Sequence, residues 1–185
     1  MRLALVPWLV ILLHQQEFLW SLMVFVVAGL TDALDGIIAK RFNAQTTLGA
    51  MLDPLADKAL LVSSYIMLSV IGFLPFWLMV VVVFRDTIII GGYVLMVLFF
   101  GSVKMRPLSI SKANTLSQIL YIVVLLAGLS WPIDLSMFLT ILSMLVLFTS
   151  VVSGSLYVYI WSVKATKSSE SQDNAAGKRN NLFDE

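Results

Sequence analysis

The chain is 185 residues long, 59% hydrophobic and only 12% charged, with a mean hydropathy of +0.94 and a formal net charge of +1. A soluble domain carries about 25% charged residues, so this composition belongs in a bilayer, and the near-neutral charge argues against nucleic acid as a partner. Cysteine is absent and His14 is the only histidine, which excludes disulfides, thiolate chemistry and Cys or His-rich metal clusters, and argues against a Ser-His-Asp triad.

A membrane-spanning helix needs about 20 mostly apolar residues. Leu3 to Leu13 is apolar but short and starts directly after Arg2, so it reads as a first helix that lacks its beginning. His14-Gln15-Gln16-Glu17 is a polar turn. Phe18 to about Ala39 forms the second span, Lys40 to about Thr47 a polar loop, and Leu48 to Ile71 the third span. Pro54 is expected near the start of that third helix, where proline is tolerated. Gly72-Phe73-Leu74-Pro75 is a turn, and Phe76 to Phe100 is a fourth span interrupted by Arg85-Asp86. Gly101 to Ser111 reads as a loop, followed by a fifth span to about Leu129. The turn Ser130 to Asp134 precedes a sixth span, Leu135 to about Val163. From Lys164 the composition turns abruptly polar. Residues 1–164 therefore read as one membrane domain and 165–185 as a disordered, solvated tail.

The loop cations set the orientation. Arg2, Lys40, Arg41, Lys104, Arg106, Lys112 and the tail lysines and Arg179 all fall at the termini or in alternate loops. The turns at 14–17, 72–75 and 130–134 hold no lysine or arginine. By the positive-inside rule, the expected fold is an all-α protein of six transmembrane helices with both termini at the cytoplasmic face.

Four of the eleven acidic residues lie within Asp32 to Asp57, and between Phe18 and Ile133 the only other one is Asp86. Asp32 and Asp35 are three apart, and Asp53 and Asp57 four apart, so each pair shares a face of its helix. Solvated helix-end charges would be the plainer explanation for a single aspartate. Here Asp32 and Asp57 lie roughly 12–13 Å inside their helices, where an acid costs about 2.5–3.5 kcal/mol. Facing carboxylates would also repel, and only Lys40, Arg41 and Lys58 are near in sequence. Hard divalent cations such as Mg²⁺ or Mn²⁺ remove both costs in an all-oxygen site. Two such ions side by side would clamp a diphosphate and activate an attacking oxygen. Gly36 and Gly49, beside the aspartates, suit close helix packing and also let a nucleotide approach the backbone.

These residues resemble a known signature. D-x-x-D-G-x-x-A-R, eight residues, then G-x-x-x-D-x-x-x-D marks the CDP-alcohol phosphatidyltransferases, and here it reads Asp32, Asp35, Gly36, Ala39, Lys40, Gly49, Asp53, Asp57. The one departure is Lys40 in place of the family arginine, which keeps charge but loses bidentate geometry. The resemblance implies phospholipid biosynthesis. A CDP-linked lipid, CDP-diacylglycerol, donates its phosphatidyl group to an alcohol and releases CMP at a two-metal site formed by the four aspartates. It further implies Asp57 as the base, a CDP-lipid pocket shaped by Gly36, Ala39, Lys40 and Gly49, and a homodimer. The expected location is a bacterial inner membrane with the site at the cytoplasmic face.

For the acceptor, LDPLADKALL and Arg85-Asp86 resemble phosphatidylglycerophosphate synthases, which use glycerol 3-phosphate. Ser111-Lys112-Ala113-Asn114-Thr115 with Gln118 resembles the CMP-forming cardiolipin synthases, which use phosphatidylglycerol. The first is the expected activity and the second its alternative. Arg85, Arg106 and Lys112 are the candidates for holding an anionic acceptor. A direct Arg85–Asp86 pair is not expected, because neighbours on a helix point about 100° apart. A cation-coupled transporter is the competing class, but it predicts mid-bilayer carboxylates on broken helices within an inverted repeat, and no repeat is present.

Overall fold

In a computed structural model the chain forms six helices among the described residues: α1 (Leu5–His14), α2 (Phe18–Phe42), α3 (Thr47–Val70), α4 (Phe76–Phe100), α5 (Ser109–Ser130) and α6 (Ser136–Asn181). The structure describes the backbone of residues 4–42, 47–100, 109–131 and 133–181, and the side chains of 4–31, 58–92, 94, 110–131 and 133–160.

Local chemistry explains where the described turns fall. After α1 the chain stops in a Schellman pattern: Glu17 N donates to Leu12 O and Gln16 N to Leu13 O, both at 3.0 Å. Gln16 takes the left-handed position (φ 58°) that usually favours glycine. The same pattern ends α3, where Phe73 N donates to Leu68 O and Gly72 N to Ser69 O, with Gly72 at φ 87°. Pro75 then cannot donate, but its carbonyl accepts from Leu78 N at 3.0 Å and opens α4. Before α6, Asp134 Oδ1 accepts from Ser136 N at 3.0 Å. That backbone N–H holds the Asp134 carboxyl below its usual range. Phe18 and Phe73 meet edge to face at 5.0 Å, so the first and second turns lie at one end of the bundle.

α1 packs on α2 and α3, α2 on α5, α3 on α4 and α5, and α6 on α4 and α5. The core runs from Leu9 and Leu13 through Phe25, Leu61, Tyr65 and Leu68 to Val82, Ile122, Leu126 and Val146. The distribution of polarity is inverted relative to a soluble protein. Arg85, Asp86, Asn114, Gln118, Ser150 and Ser153 are buried, while Val70, Phe76, Met137 and Phe148 are 68–79% exposed. A monomer in water does not expose so much contiguous apolar surface; in lipid that surface is solvated and the polar groups turn inward. Ile110–Ser130 and Ser136–Ile160 are long and apolar enough to cross a membrane. α1, at ten residues, rises roughly 15 Å and covers half of a bilayer core. Among the described residues the protein is all helical, and its exposed apolar surface is that of a membrane protein.

Several element ends differ from expectation. α2 continues to Phe42, so Lys40 and Arg41 lie on helix backbone rather than in a loop. α3 begins at Thr47, one residue before the expected start, and Pro54 falls near its beginning as expected, two turns in. α5 begins at Ser109, inside the expected loop. α6 runs on to Asn181, past the polar break at Lys164. No proline lies between Lys164 and Asn181, so the helical backbone continues where apolarity stops.

Candidate active site

Asp32 and Asp35 stand in the second half of α2, and Asp53 and Asp57 in the first half of α3. All four therefore sit on helical backbone, and spacings of three and four give each pair a common face. Asp32 and Asp57 each lie roughly 15 Å from the helix ends at Phe42 and Thr47, and Asp35 and Asp53 roughly 10 Å. Counted along the backbone from the α2–α3 connection, the two pairs stand at matching positions on their own helices. An all-oxygen donor set in this register fits hard divalent cations, Mg²⁺ or Mn²⁺. The side chains of these four residues, and the side-chain surroundings of Gly36, Ala39, Lys40 and Gly49, lie outside the described residues.

One residue beyond Asp57 the side chains are described, and they form a charged cluster. Lys58 Nζ lies 2.9 Å from Asp86 Oδ2 and 3.1 Å from Oδ1, and donates to Thr115 Oγ1 at 3.3 Å. Arg85 Nη1 donates to Asp86 Oδ1 at 2.6 Å, and Nη2 to Ser111 Oγ at 2.7 Å and Ser153 Oγ at 2.6 Å. The expectation against a direct Arg85–Asp86 pair is therefore corrected. The Cβ vectors do diverge, but the long arginine stem folds back and brings the guanidinium to its neighbour. Four helices are tied at this point: α3 through Lys58, α4 through Arg85 and Asp86, α5 through Ser111 and Thr115, and α6 through Ser153. Arg85 is 4% exposed and Asp86 2%. In so dry a setting an unpaired charge is costly, and each of these charges has a partner.

The stretch of α5 singled out in the sequence explains its own contacts. Ser111, Asn114, Thr115 and Gln118 follow i, i+3, i+4, i+7, a single helix face, and that face turns inward. Asn114 Oδ1 accepts from Thr149 Oγ1 at 2.8 Å and Ser150 Oγ at 2.9 Å. Tyr65 OH donates to the Gln118 carbonyl at 3.3 Å. The Gln118 amide and Asn114 Nδ2 are buried without a partner among the described residues. Lys112, off this face, is exposed.

Two apolar cavities flank the cluster. One, of about 420 Å³, lies between α2, α3 and α5 and is lined by Phe25, Ala28, Gly29, Leu60, Leu61 and Thr115 among others. It reaches to within a turn of Asp32 on α2 and of Asp57 on α3. The other, of about 650 Å³, lies between α4 and α6, with Arg85 in its wall.

Of the three residues expected to hold an anionic acceptor, Arg85 is built into the cluster and Lys112 is exposed at the start of α5. Arg106 lies outside the described residues. The sequence named Lys58 only as a nearby cation and Thr115 only within a family-like stretch, and Ser153 was not singled out. The four-residue polar face of α5 was the signal that could have placed Thr115 toward the interior. Among the described residues no group of three or more His, Asp or Glu side chains gathers.

The profile of the CDP-alcohol phosphatidyltransferase family matches residues 1–161. Cardiolipin synthase (CMP-forming) of Rattus norvegicus is 34% identical over 174 residues, covering 85% of this chain and 58% of the relative. The Homo sapiens protein of the same name is 33% identical with the same coverage. A probable phosphatidylglycerophosphate synthase of Mycobacterium tuberculosis is 35% identical over 92 residues, covering 46% of this chain and 44% of the relative. The chain thus spans 58% of the length of the two cardiolipin synthases. With the signature aspartates on helical backbone and the match running from the first residue almost to the end of the apolar region, the chain belongs to the CDP-alcohol phosphatidyltransferase family.

Proposed function

We propose that the protein transfers the phosphatidyl group of CDP-diacylglycerol to phosphatidylglycerol, releasing CMP and forming cardiolipin. The observation that carries this choice is the extent of similarity. The cardiolipin synthases align over 85% of the chain, whereas the phosphatidylglycerophosphate synthase aligns over 46%. This reverses the order expected from LDPLADKALL and Arg85-Asp86 alone, which put glycerol 3-phosphate first. The glycerol 3-phosphate reading stays as the second, supported by the 35% identity to the mycobacterial protein.

In this reading Asp32, Asp35, Asp53 and Asp57 hold two Mg²⁺ or Mn²⁺ ions, which neutralise the diphosphate of the donor. The apolar cavity between α2, α3 and α5 takes the donor's acyl chains, because it opens beside both aspartate-bearing segments. Gly36, Ala39, Lys40 and Gly49 line the cytidine diphosphate. An acceptor hydroxyl attacks the phosphatidyl phosphorus and its proton passes to Asp57. The new O–P bond forms as the bond to the CMP oxygen breaks, and CMP leaves with that electron pair. Arg85 and Arg106, with Lys112 at the rim, hold the acceptor's phosphate by charge. Residues 1–164 form the catalytic unit, working as a homodimer with its site at the cytoplasmic face of a bacterial inner membrane.

The test uses the purified protein in vesicles containing CDP-diacylglycerol and Mg²⁺, given either phosphatidylglycerol or glycerol 3-phosphate, with CMP and the lipid product identified. Cardiolipin is expected. Phosphatidylglycerophosphate alone would move the assignment to the second reading. CMP release with neither acceptor, from protein shown to bind CDP-diacylglycerol, would remove both.

A further inference from the structure

We propose that the groove between α4 and α6 receives the acyl chains of the phospholipid acceptor, and that the acceptor reaches the reaction centre sideways from the bilayer along it. This rests on the reading of a lipid acceptor given above. The groove has a volume of about 650 Å³, and apart from Arg85 and a few hydroxyls its lining is apolar. Its walls are Val81, Phe84 and Ile88 on α4 and Ser150, Val151 and Gly154 on α6. Phe84 is 65% exposed and Val151 55%, so the groove opens on the apolar outer surface of the bundle. A water-soluble acceptor has no use for such a path.

Charge identifies the occupant. The groove leads inward to Arg85, whose guanidinium is buried, and Nε has no partner among the described residues. Arg85 and Lys58 together contact a single described carboxylate, Asp86. Among the described residues, two cations face one anion at the inner end of an apolar channel. A phosphodiester lipid brings one negative charge and two acyl chains, which matches both features. From Arg85 the path to the reaction centre is short: Asp86 bridges to Lys58, the residue next to Asp57.

Gly154 controls the bore. A Cβ there would meet only Arg85 Cγ, at 3.7 Å, an ordinary contact. The position therefore tolerates a side chain sterically, and the missing one leaves open space above the Arg85 stem. A leucine at this place fills the groove without striking the backbone.

The experiment compares wild type, Gly154→Leu and Thr140→Leu, the last on the exposed, more distant part of α6. Each is assayed in vesicles with CDP-diacylglycerol and graded phosphatidylglycerol. Excluding about two methylenes' worth of chain contact corresponds to roughly a tenfold loss of affinity. Gly154→Leu should raise KM for phosphatidylglycerol about tenfold, with KM for CDP-diacylglycerol within twofold of wild type. Thr140→Leu should leave both unchanged. In parallel, wild-type protein is irradiated with phosphatidylglycerol carrying a diazirine at the chain end, and labelled peptides are mapped. Label on Val81–Ile88 or Ser150–Gly154 supports the groove, even if Gly154→Leu fails to fold. Label confined to α2 and α5, or unchanged KM in Gly154→Leu, overturns it. Cross-linking of two chains through α6, abolished by Gly154→Leu with kinetics intact, also overturns it, in favour of a second copy as occupant. Failure of the acceptor reading is separate: wild type would then form no cardiolipin, whatever the label shows.

Discussion

Replacing Asp86 by asparagine keeps the size of the side chain and removes the only carboxylate that Lys58 and Arg85 contact among the described residues. Both cations stay in place, one 4% exposed and the other partly buried, with hydroxyls as their remaining partners. Removing one member of a buried pair costs about 3–5 kcal/mol, because the charge left behind is uncompensated. For a chain of this size each kcal/mol moves Tm by roughly 2–4 °C, so Asp86→Asn should lower Tm by roughly 6–20 °C. Lys58→Met alone should cost far less, since Arg85 and Asp86 remain paired at 2.6 Å. The sign of the double variant is the sharper test. Lys58→Met in the Asp86→Asn background removes one of two orphaned cations and should restore part of the lost stability. The five tryptophans provide the signal for thermal unfolding in detergent. If the two losses simply add, or if Asp86→Asn melts within about 1 °C of wild type, the cluster does not hold the four helices in the way argued.

Asp32→Asn, Asp35→Asn and Asp53→Asn should each abolish CMP release while leaving Tm near wild type, and chelation of divalent ions should do the same reversibly. Full turnover in excess EDTA would disprove the two-metal site. Asp57→Asn should retain CDP-diacylglycerol binding and lose about 10²–10⁴-fold in rate, the usual contribution of a general base; a loss rescued in full by added Mg²⁺ would make it a ligand only. Single cysteines are easily placed in a chain that has none: at positions 16, 73 and 133 they should react with an impermeant thiol reagent from outside intact cells, and at 44 they should not. Asp134 titrates below its ordinary value because it accepts from Ser136 N. Its contribution to α6 is therefore complete above the unfolded pKa of about 3.9 and disappears as pH falls through the lower folded value. Wild type and Asp134→Ala should differ in unfolding at pH 6 and converge at the acid end of that range.

The helices were legible because their ends carry strong local signals. Gly72 with Pro75, and Asp134 before Ser136, stop and start helices by backbone chemistry that needs no tertiary context. The aspartate signature was legible for a similar reason, since its meaning lies in spacing along two helices. The Arg85–Asp86 pair was not, because helix geometry gives Cβ directions and not the reach of a long side chain. The contacts of Lys58 and Ser153 were not legible because their partners lie 28 and 68 residues away in sequence, set only by how α3, α4 and α6 pack. The helix through Lys40 and beyond Lys164 was misplaced by equating polar composition with loop. Backbone hydrogen bonds continue through polar residues when none of them is proline or a capping glycine.

The inward polar face of α5 also bears on how the protein is made. Ser111 and Thr115 meet Arg85 and Lys58, which are made earlier, but Asn114 leaves the ribosome well before the groups that satisfy it; Thr149 and Ser150 follow by 35 and 36 residues. Until then α5, whose Ile110–Ser130 stretch has a mean hydropathy of 1.6 against 2.1 for Ser136–Ile160, carries the Asn114 amide oxygen without its two hydroxyl donors. The more apolar stretch of α6 partitions readily by itself, and its arrival gives Asn114 its hydrogen-bond partners. The pairing of α5 with α6 through Asn114 is therefore completed only once α6 is in place. A chain stopped before Thr149 would leave one buried amide of α5 unsatisfied, although α5 already has α2 and α3 to pack on.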